Sequence, residues 1–303
     1  MRKLTDFQQK IADLLPKLEL RFHESLAKHT SFRIGGPAEV MAFPKTAAEL
    51  AEVLKVSALL DCKTAILGAG TNILAPDDGI PGLVICLKDC LGGMEQLDDT
   101  HIRVAAGVTM TRAAVFAANA GLSGLEFAHG IPGTVGGGVY MNAGAYGGEI
   151  CQVCTQVEVM DVSGNLRVYT GEEMGFSYRH SRLEDEGGIV VSAVFALTPK
   201  STEEIRATMQ DLMARRSASQ PLDLPSAGSA FKRPVGGYAA ALIDQAGLKG
   251  HRVGNAAVSE KHAGFVVNLG GATAKDVKDL LTDVSDRVFR KSGIRLEPEV
   301  RIW

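Results

Sequence analysis

The 303-residue chain carries 32 Lys plus Arg against 35 Asp plus Glu, a formal net charge of −3. That balance excludes a nucleic-acid binder held by a broad basic field. With 46% hydrophobic and 22% charged residues, the composition is that of a globular protein of about two domains, not a disordered chain, a collagen or a coiled coil.

Taken in order, residues 1–20 place Phe7, Ile11, Leu14, Leu15 and Leu18 at helical spacing and predict an amphipathic helix. Charge is mixed throughout this stretch, unlike a signal peptide, so a cytoplasmic location and no membrane insertion are expected. Thr46-Ala-Ala-Glu49 is a capping box for a helix over 47–59. Residues 63–67 read as a buried strand feeding the loop Gly68-Ala-Gly70-Thr71-Asn72, followed by a strand over 82–87. A strand over 101–105 and a helix over 110–121 come next. Strands over 153–159 and 166–169 flank the turn Ser163-Gly164-Asn165, and 189–197 is an apolar strand. Ser201-Thr-Glu-Glu204 opens a helix to about Arg216, and Ser217–Ser226 is the best linker. Helices over 238–246 and 274–292 and strands over 265–268 and 299–302 complete an α+β protein.

The five cysteines include Cys151-Gln-Val-Cys154. No histidine lies near them, so they read as apolar fillers in a reducing compartment and no metal is expected. The 34 glycines, about 11% against a usual ~7%, need another reason. Gly68-x-Gly70 after a strand is not a Rossmann fingerprint: Ile73 stands at the third glycine position and Pro76 breaks the chain before a helix can form. Main-chain N–H groups of such a loop still form an anion-binding nest, although an ordinary strand turn is the plain alternative. The longest stretch free of Asp, Glu, Lys and Arg, residues 127–148, holds eight glycines and Pro132, which suits a ligand-cradling loop better than a membrane span. Two such loops fit a long ligand such as a dinucleotide.

At these residues the chain resembles the UDP-N-acetylenolpyruvoylglucosamine reductase family. The resemblance is carried by His29-Thr-Ser-Phe-Arg33-Ile-Gly-Gly36, Gly68-Ala-Gly-Thr-Asn-Ile73, Gly130-Ile-Pro-Gly-Thr-Val-Gly-Gly137 and Phe176-Ser-Tyr-Arg179-His-Ser181. It continues through Gly228-Ser229-Ala-Phe-Lys232-Arg-Pro234, His262-Ala-Gly-Phe-Val-Val-Asn268 and Glu297-Pro-Glu299-Val-Arg301. These blocks stand in the family's order over residues 29–303, and their short spacing suggests the compact subtype. The resemblance implies a two-part FAD-binding domain of vanillyl-alcohol-oxidase type plus a smaller C-terminal α/β substrate domain. The expected division is an N-terminal helix in 1–28, the FAD region in 29–200 and the substrate domain in 201–303, with the last strand reaching the active site. Implied too are non-covalent FAD, NADPH as hydride donor and UDP-N-acetylglucosamine enolpyruvate as substrate.

By family position, Gly68, Gly70, Thr71, Asn72, Ile73, Gly130, Ile131, Gly133, Thr134, Gly136, Gly137 and Ala143 would meet the FAD. Arg179 would hold the substrate carboxylate, its planar fork matching two oxygens. Ser229 takes the proton-donor position, and Glu299 would lie at the same carboxylate. On a strand, Glu297, Glu299 and Arg301 would share one face, so an ion pair between Glu299 and Arg301 is the plain alternative. Lys232 and Arg233 are candidates for the substrate diphosphate, or simply solvated charges, and Tyr146 a candidate neighbour of the substrate. His129 reads as a core or loop histidine rather than a flavin link; His262 and Asn268 have no assigned role. An alcohol oxidase of the same fold, or a flavin-binding module without turnover, are the competing readings.

Overall fold

A computed structural model of the chain describes residues 4–303. It divides into two compact units, neither continuous in sequence. The first comprises 1–22, 39–69 and 81–214, and the second 23–38, 70–80 and 215–303.

The first unit contains the helix Asp6–Leu14, shorter than the sequence suggested. Thr5 caps it reciprocally with Gln8, and Leu15 leaves helical geometry at φ −123°, ψ 55°. Pro16 follows, and the residue before a proline is disfavoured in the helical region. Ile11 and Leu15 join the helix Ala47–Leu59 in covering a four-stranded sheet, whose order is Leu20–Ser25, Pro37–Ala42, Ile80–Cys86, Thr64–Leu67. Thr64–Leu67 runs parallel to residues 83–86, and Gln8 donates to Glu39 O. The capping box expected at residue 46 closes only halfway. Thr46 Oγ1 accepts from Glu49 N, whereas the Glu49 carboxylate accepts from Lys45 N.

A second, five-stranded sheet in this unit is antiparallel throughout, in the order Leu166–Thr170, Cys154–Met160, Ile189–Ala196, His101–Ala105, Met94–Gln96. Ile189–Ala196 lies at its centre and is buried almost along its whole length, which accounts for a run of apolar residues without alternation. The helix Met110–Asn119 and the short helix Val135–Tyr140 pack on this sheet. The helix Thr202–Ser219 passes the expected end at Arg216 and takes up the first residues of the expected linker.

The second unit holds a four-stranded antiparallel sheet, Ser226–Ser229, Phe265–Asn268, Ala256–Val258, Arg252–Val253, covered by the helix Ala274–Ser292. Phe32, Ile34 and Leu74 join its core beside Val266, Leu280 and Val284, so the two inserted segments are integral to it. Asp77 accepts from the amides of Ala274 and Lys275 at the start of the long helix, alongside the Thr273–Asp276 capping box. All five cysteines are free. Burial pushes the Cys86 and Cys154 thiols up to about 11 and about 12 respectively, in keeping with apolar fillers.

Candidate functional site

In the first unit the two glycine loops meet. A Cβ on Gly68 would lie 2.6 Å from Thr134 Oγ1. The second loop is docked by main-chain bonds from Met110 N to Gly133 O and from Val135 N to Val108 O around the pair Thr109–Thr134. In that antiparallel arrangement the N–H of Thr134 points away from the strand it rests on. Thr134 Oγ1 accepts from Gly137 N and Thr134 O from Gly138 N, so this residue begins the helix Val135–Tyr140.

Not every glycine of this loop serves a ligand surface. Added Cβ atoms at Gly136 and Gly138 would lie 2.9 Å from Ala106 Cβ and 2.7 Å from Met110 Sδ. These two glycines let the short helix press against its own core. Gly137 instead is exposed, with only Thr134 Oγ1 at 3.6 Å from such an atom. Gly130 and Gly133 are half-buried, and Ile131 and Ala143 pack against the core of this unit. His129 is tied through its main chain to Glu126 O and Thr111 Oγ1, while its shielded Nδ1 has no hydrogen-bond partner among the described residues. A buried polar atom left so costs about 1–3 kcal/mol, and a polar ligand against this loop would relieve it. Outward main-chain N–H, an open Gly137 and an unmatched imidazole nitrogen together fit a dinucleotide such as FAD.

Arg179 is brought to the same region. Buried Asn142 donates to Ser177 O and Glu149 Oε2 and accepts from Cys151 N, and Ser181 Oγ donates to Tyr140 O. These bonds lace residues 140–151 to 177–181 and place Arg179 Nη2 3.3 Å from Gly144 O. Its guanidinium also lies 5.1 Å from the Tyr178 ring centre. Tyr146 and Gly147 form the two-residue turn between Gly144–Ala145 and Gly148–Glu149, with φ of +54° and +87°, as in a type I′ hairpin. Asn142, Tyr146 and Arg179 all have positive φ, a conformation that non-glycine residues rarely hold and that concentrates at functional sites. Asn142 was not singled out from sequence; its one signal is a lone amide following the short glycine helix.

The second unit gathers the other candidates. Gly70 has φ +62°, and a Cβ there would lie 2.2 Å from His29 O. Only glycine lets this loop rest on the His29–Ser31 segment, where Ser31 N and Oγ both donate to Gly70 O. Thr71 and Asn72 follow, half-buried, and Ile73–Leu74 forms a short strand paired in parallel with Arg301–Ile302. As expected for a loop without its Rossmann helix, a strand and not a helix comes next.

Ser229 is the last residue of its strand and is exposed. Ser226 pairs with Val267 and Ser229 with Phe265, so three steps on one strand match two on the other. The surplus residue is taken up at Gly228, φ +75°, a bulge of the kind that re-aims a side chain. Glu299 N donates to Ala230 O at 2.9 Å, Lys232 N donates to Glu297 O, and Phe231 pairs with Pro298. Ser229 and Glu299 are thereby held on adjoining segments. Asn72 Nδ2 donates to Glu299 O at 3.2 Å.

The expected strand over 299–302 is regular only at Arg301–Ile302, and Glu297 and Pro298 are both exposed. The three charged residues therefore do not form one continuous strand face. Glu297 lies 3.6 Å from Lys232 Nζ across exposed side chains, a contact of little energetic weight. Arg233 stacks on Tyr238 at 4.3 Å.

Two residues of the matching blocks acquire structural roles. Buried Asn268 donates to Phe32 O and accepts from Gly270 and Ala272 amides, pinning an inserted segment to the sheet. His262 Nδ1 accepts from Gly264 N, and the ring meets Phe265 edge-on at 5.0 Å. Burial holds its pKa below the ordinary histidine value. Among the described residues, no group of three or more His, Cys, Asp or Glu could hold a metal ion, and no helix is long and apolar enough to cross a membrane.

Comparison with known proteins agrees with this arrangement. Residues 38–170 match the model of an FAD binding domain, and residues 220–303 match the C-terminal domain of UDP-N-acetylenolpyruvoylglucosamine reductase. The protein is an FAD-dependent oxidoreductase with a flavin domain and a second domain that matches the C-terminal domain of such a reductase. A UDP-N-acetylenolpyruvoylglucosamine reductase from Agathobacter rectalis is 46% identical, covering 98% of both chains. One from Latilactobacillus sakei is 44% identical over 94% of this chain and 93% of its own. The crystal structure of the Thermus caldophilus enzyme (MurB) superposes with a TM-score of 0.78 at 38% identity, covering 95% of this chain and 99% of that one. The chain belongs to the UDP-N-acetylenolpyruvoylglucosamine reductase family.

Proposed function

We propose that the protein reduces the enolpyruvyl group of UDP-N-acetylglucosamine enolpyruvate to the lactyl ether of UDP-N-acetylmuramate, with NADPH as electron donor, for peptidoglycan synthesis in the cytoplasm. Residues 29–200 would serve the flavin and 201–303 the substrate. FAD, when bound here and reduced by NADPH, would supply the hydride for the terminal vinyl carbon. Negative charge then develops on the neighbouring carbon and spreads into the carboxylate.

Arg179 holds that carboxylate, its permanent charge and two-pronged donor set strengthening as the charge grows. Ser229 delivers a proton from Oγ to the neighbouring carbon, completing the reduction. Glu299, near the same carboxylate, has its proton affinity raised by the developing anion and acts as a hydrogen-bond donor in protonated form. Lys232 and Arg233 attract the diphosphate, and Tyr146 borders the substrate. Gly68, Gly70, Thr71, Asn72, Ile73, Gly130, Ile131, Gly133, Thr134, Gly137 and Ala143 form the coenzyme cradle, with Gly136 behind it, packed on Ala106. The observation that carries the reading is the coupling of exposed Ser229 to Glu299 through the Ala230–Glu299 main-chain bond, in a chain of this family.

The test is anaerobic. NADPH should bleach the flavin absorbance, and the enolpyruvyl nucleotide should restore it with formation of the lactyl ether. Reoxidation no faster than in buffer, or fast reoxidation by oxygen with peroxide release, would overturn the assignment.

A further inference from the structure

We propose that the side chain of Asn72 is a positioning residue for Glu299, keeping that residue in register with Ser229; this rests on the roles just given to Ser229 and Glu299. A carboxamide in a glycine loop invites assignment to the coenzyme. Here one of its N–H groups is directed at Glu299 O, 3.2 Å away, while Asn72 O accepts from Arg301 N at 2.9 Å. Asn72 therefore brackets residues 299–301, with its side chain on one peptide and its main chain on another.

Regular pairing with Ile73 begins only at Arg301. Glu299 stands ahead of that ladder, and the Asn72 side chain in effect extends the pairing back to it. From the other side Glu299 N reaches Ala230 O, one residue from Ser229. The loop that carries Asn72 is itself fixed, because Gly36 N donates to Pro76 O and Asp77 accepts from Ala274 and Lys275 at the head of the long helix. A donor is what the position demands. Aspartate has the same shape but no donor when ionised, and alanine has neither.

The test compares Asn72→Ala and Asn72→Asp in the FAD-loaded enzyme. FAD affinity is followed by flavin fluorescence so that each variant is assayed fully loaded. Because the same loop also belongs to the coenzyme cradle, the expectation is a difference: flavin reduction by NADPH should fall by a smaller factor than reoxidation. Reoxidation by the enolpyruvyl nucleotide should fall about tenfold in both variants near neutral pH, the scale of one hydrogen bond. Asn72→Asp alone should begin to recover as pH falls toward about 4, the ordinary aspartate value, because a protonated carboxyl regains an O–H donor. A loss confined to FAD affinity or to the NADPH step, or full activity of Asn72→Asp at neutral pH, would overturn the proposal. Should the wild type itself fail to react with that nucleotide, the functional reading falls. Amide hydrogen exchange at Glu299 and Arg301 then decides: faster exchange in both variants supports the positioning role, and unchanged exchange refutes it.

Discussion

Ser229 and Arg179 pose different problems to their backbones. Ser229 sits past a glycine bulge that turns an ordinary strand residue outward; Arg179 occupies a turn with left-handed φ, its guanidinium beside Gly144 O. Ser229→Ala should leave flavin reduction by NADPH intact and slow reoxidation by the enolpyruvyl nucleotide about 10²–10⁴-fold, the usual worth of general acid catalysis. Stopped-flow absorbance separates the two steps; equal loss in both would make Ser229 structural. The residue types at these positions were legible because arginine, serine and glutamate stood in blocks of familiar order. Their supports were less legible. Nothing near Asn142 or Asn268 in the chain reveals that each would satisfy three polar partners, one of them on a distant segment, Ser177 O and Phe32 O respectively.

At the scale of elements, local chemistry decided what could be read. The helices over 47–59 and 274–292 and the strands over 101–105 and 265–268 appear where capping residues and apolar runs place them. Two-residue strands such as Ile73–Leu74 and Arg301–Ile302 carry no periodicity, because each exists only through the other, far along the chain. The long C-terminal helix also carries a pH signature. Its capping Asp276 has a pKa held below the ordinary carboxylate value, first by the Thr273 amide it accepts from. A depressed folded-state pKa adds stability that is complete above the unfolded value near ~4 and is lost as pH falls through the folded one. Thermal melts of wild type and Asp276→Asn should therefore differ most near neutrality and converge below about pH 4. A constant gap across that range would refute the cap's electrostatic part.

For the molecule as a whole, the consequential fact is that the C-terminal unit borrows residues 23–38 and 70–80. Composition suggested two domains, but discontinuity has no signature in composition, since Phe32, Ile34 and Leu74 look like any apolar residues. Their core partners lie beyond residue 226. A fragment of residues 215–303 would lack these three buried side chains and the Asp77 and Phe32 contacts. Losses of about 2–5 kcal/mol for each large side chain exceed what so small a piece can spare. It should show no cooperative melt by circular dichroism, whereas the full chain should; a sharp transition in the fragment would contradict this.

The left-handed Arg179 sets a direction for laboratory evolution. Its backbone costs about 1–2 kcal/mol that asparagine or glycine would largely avoid. Selection for heat resistance alone should drift toward those residues, improving the scaffold while discarding the cation proposed to hold the substrate carboxylate. Durability and turnover compete at one codon.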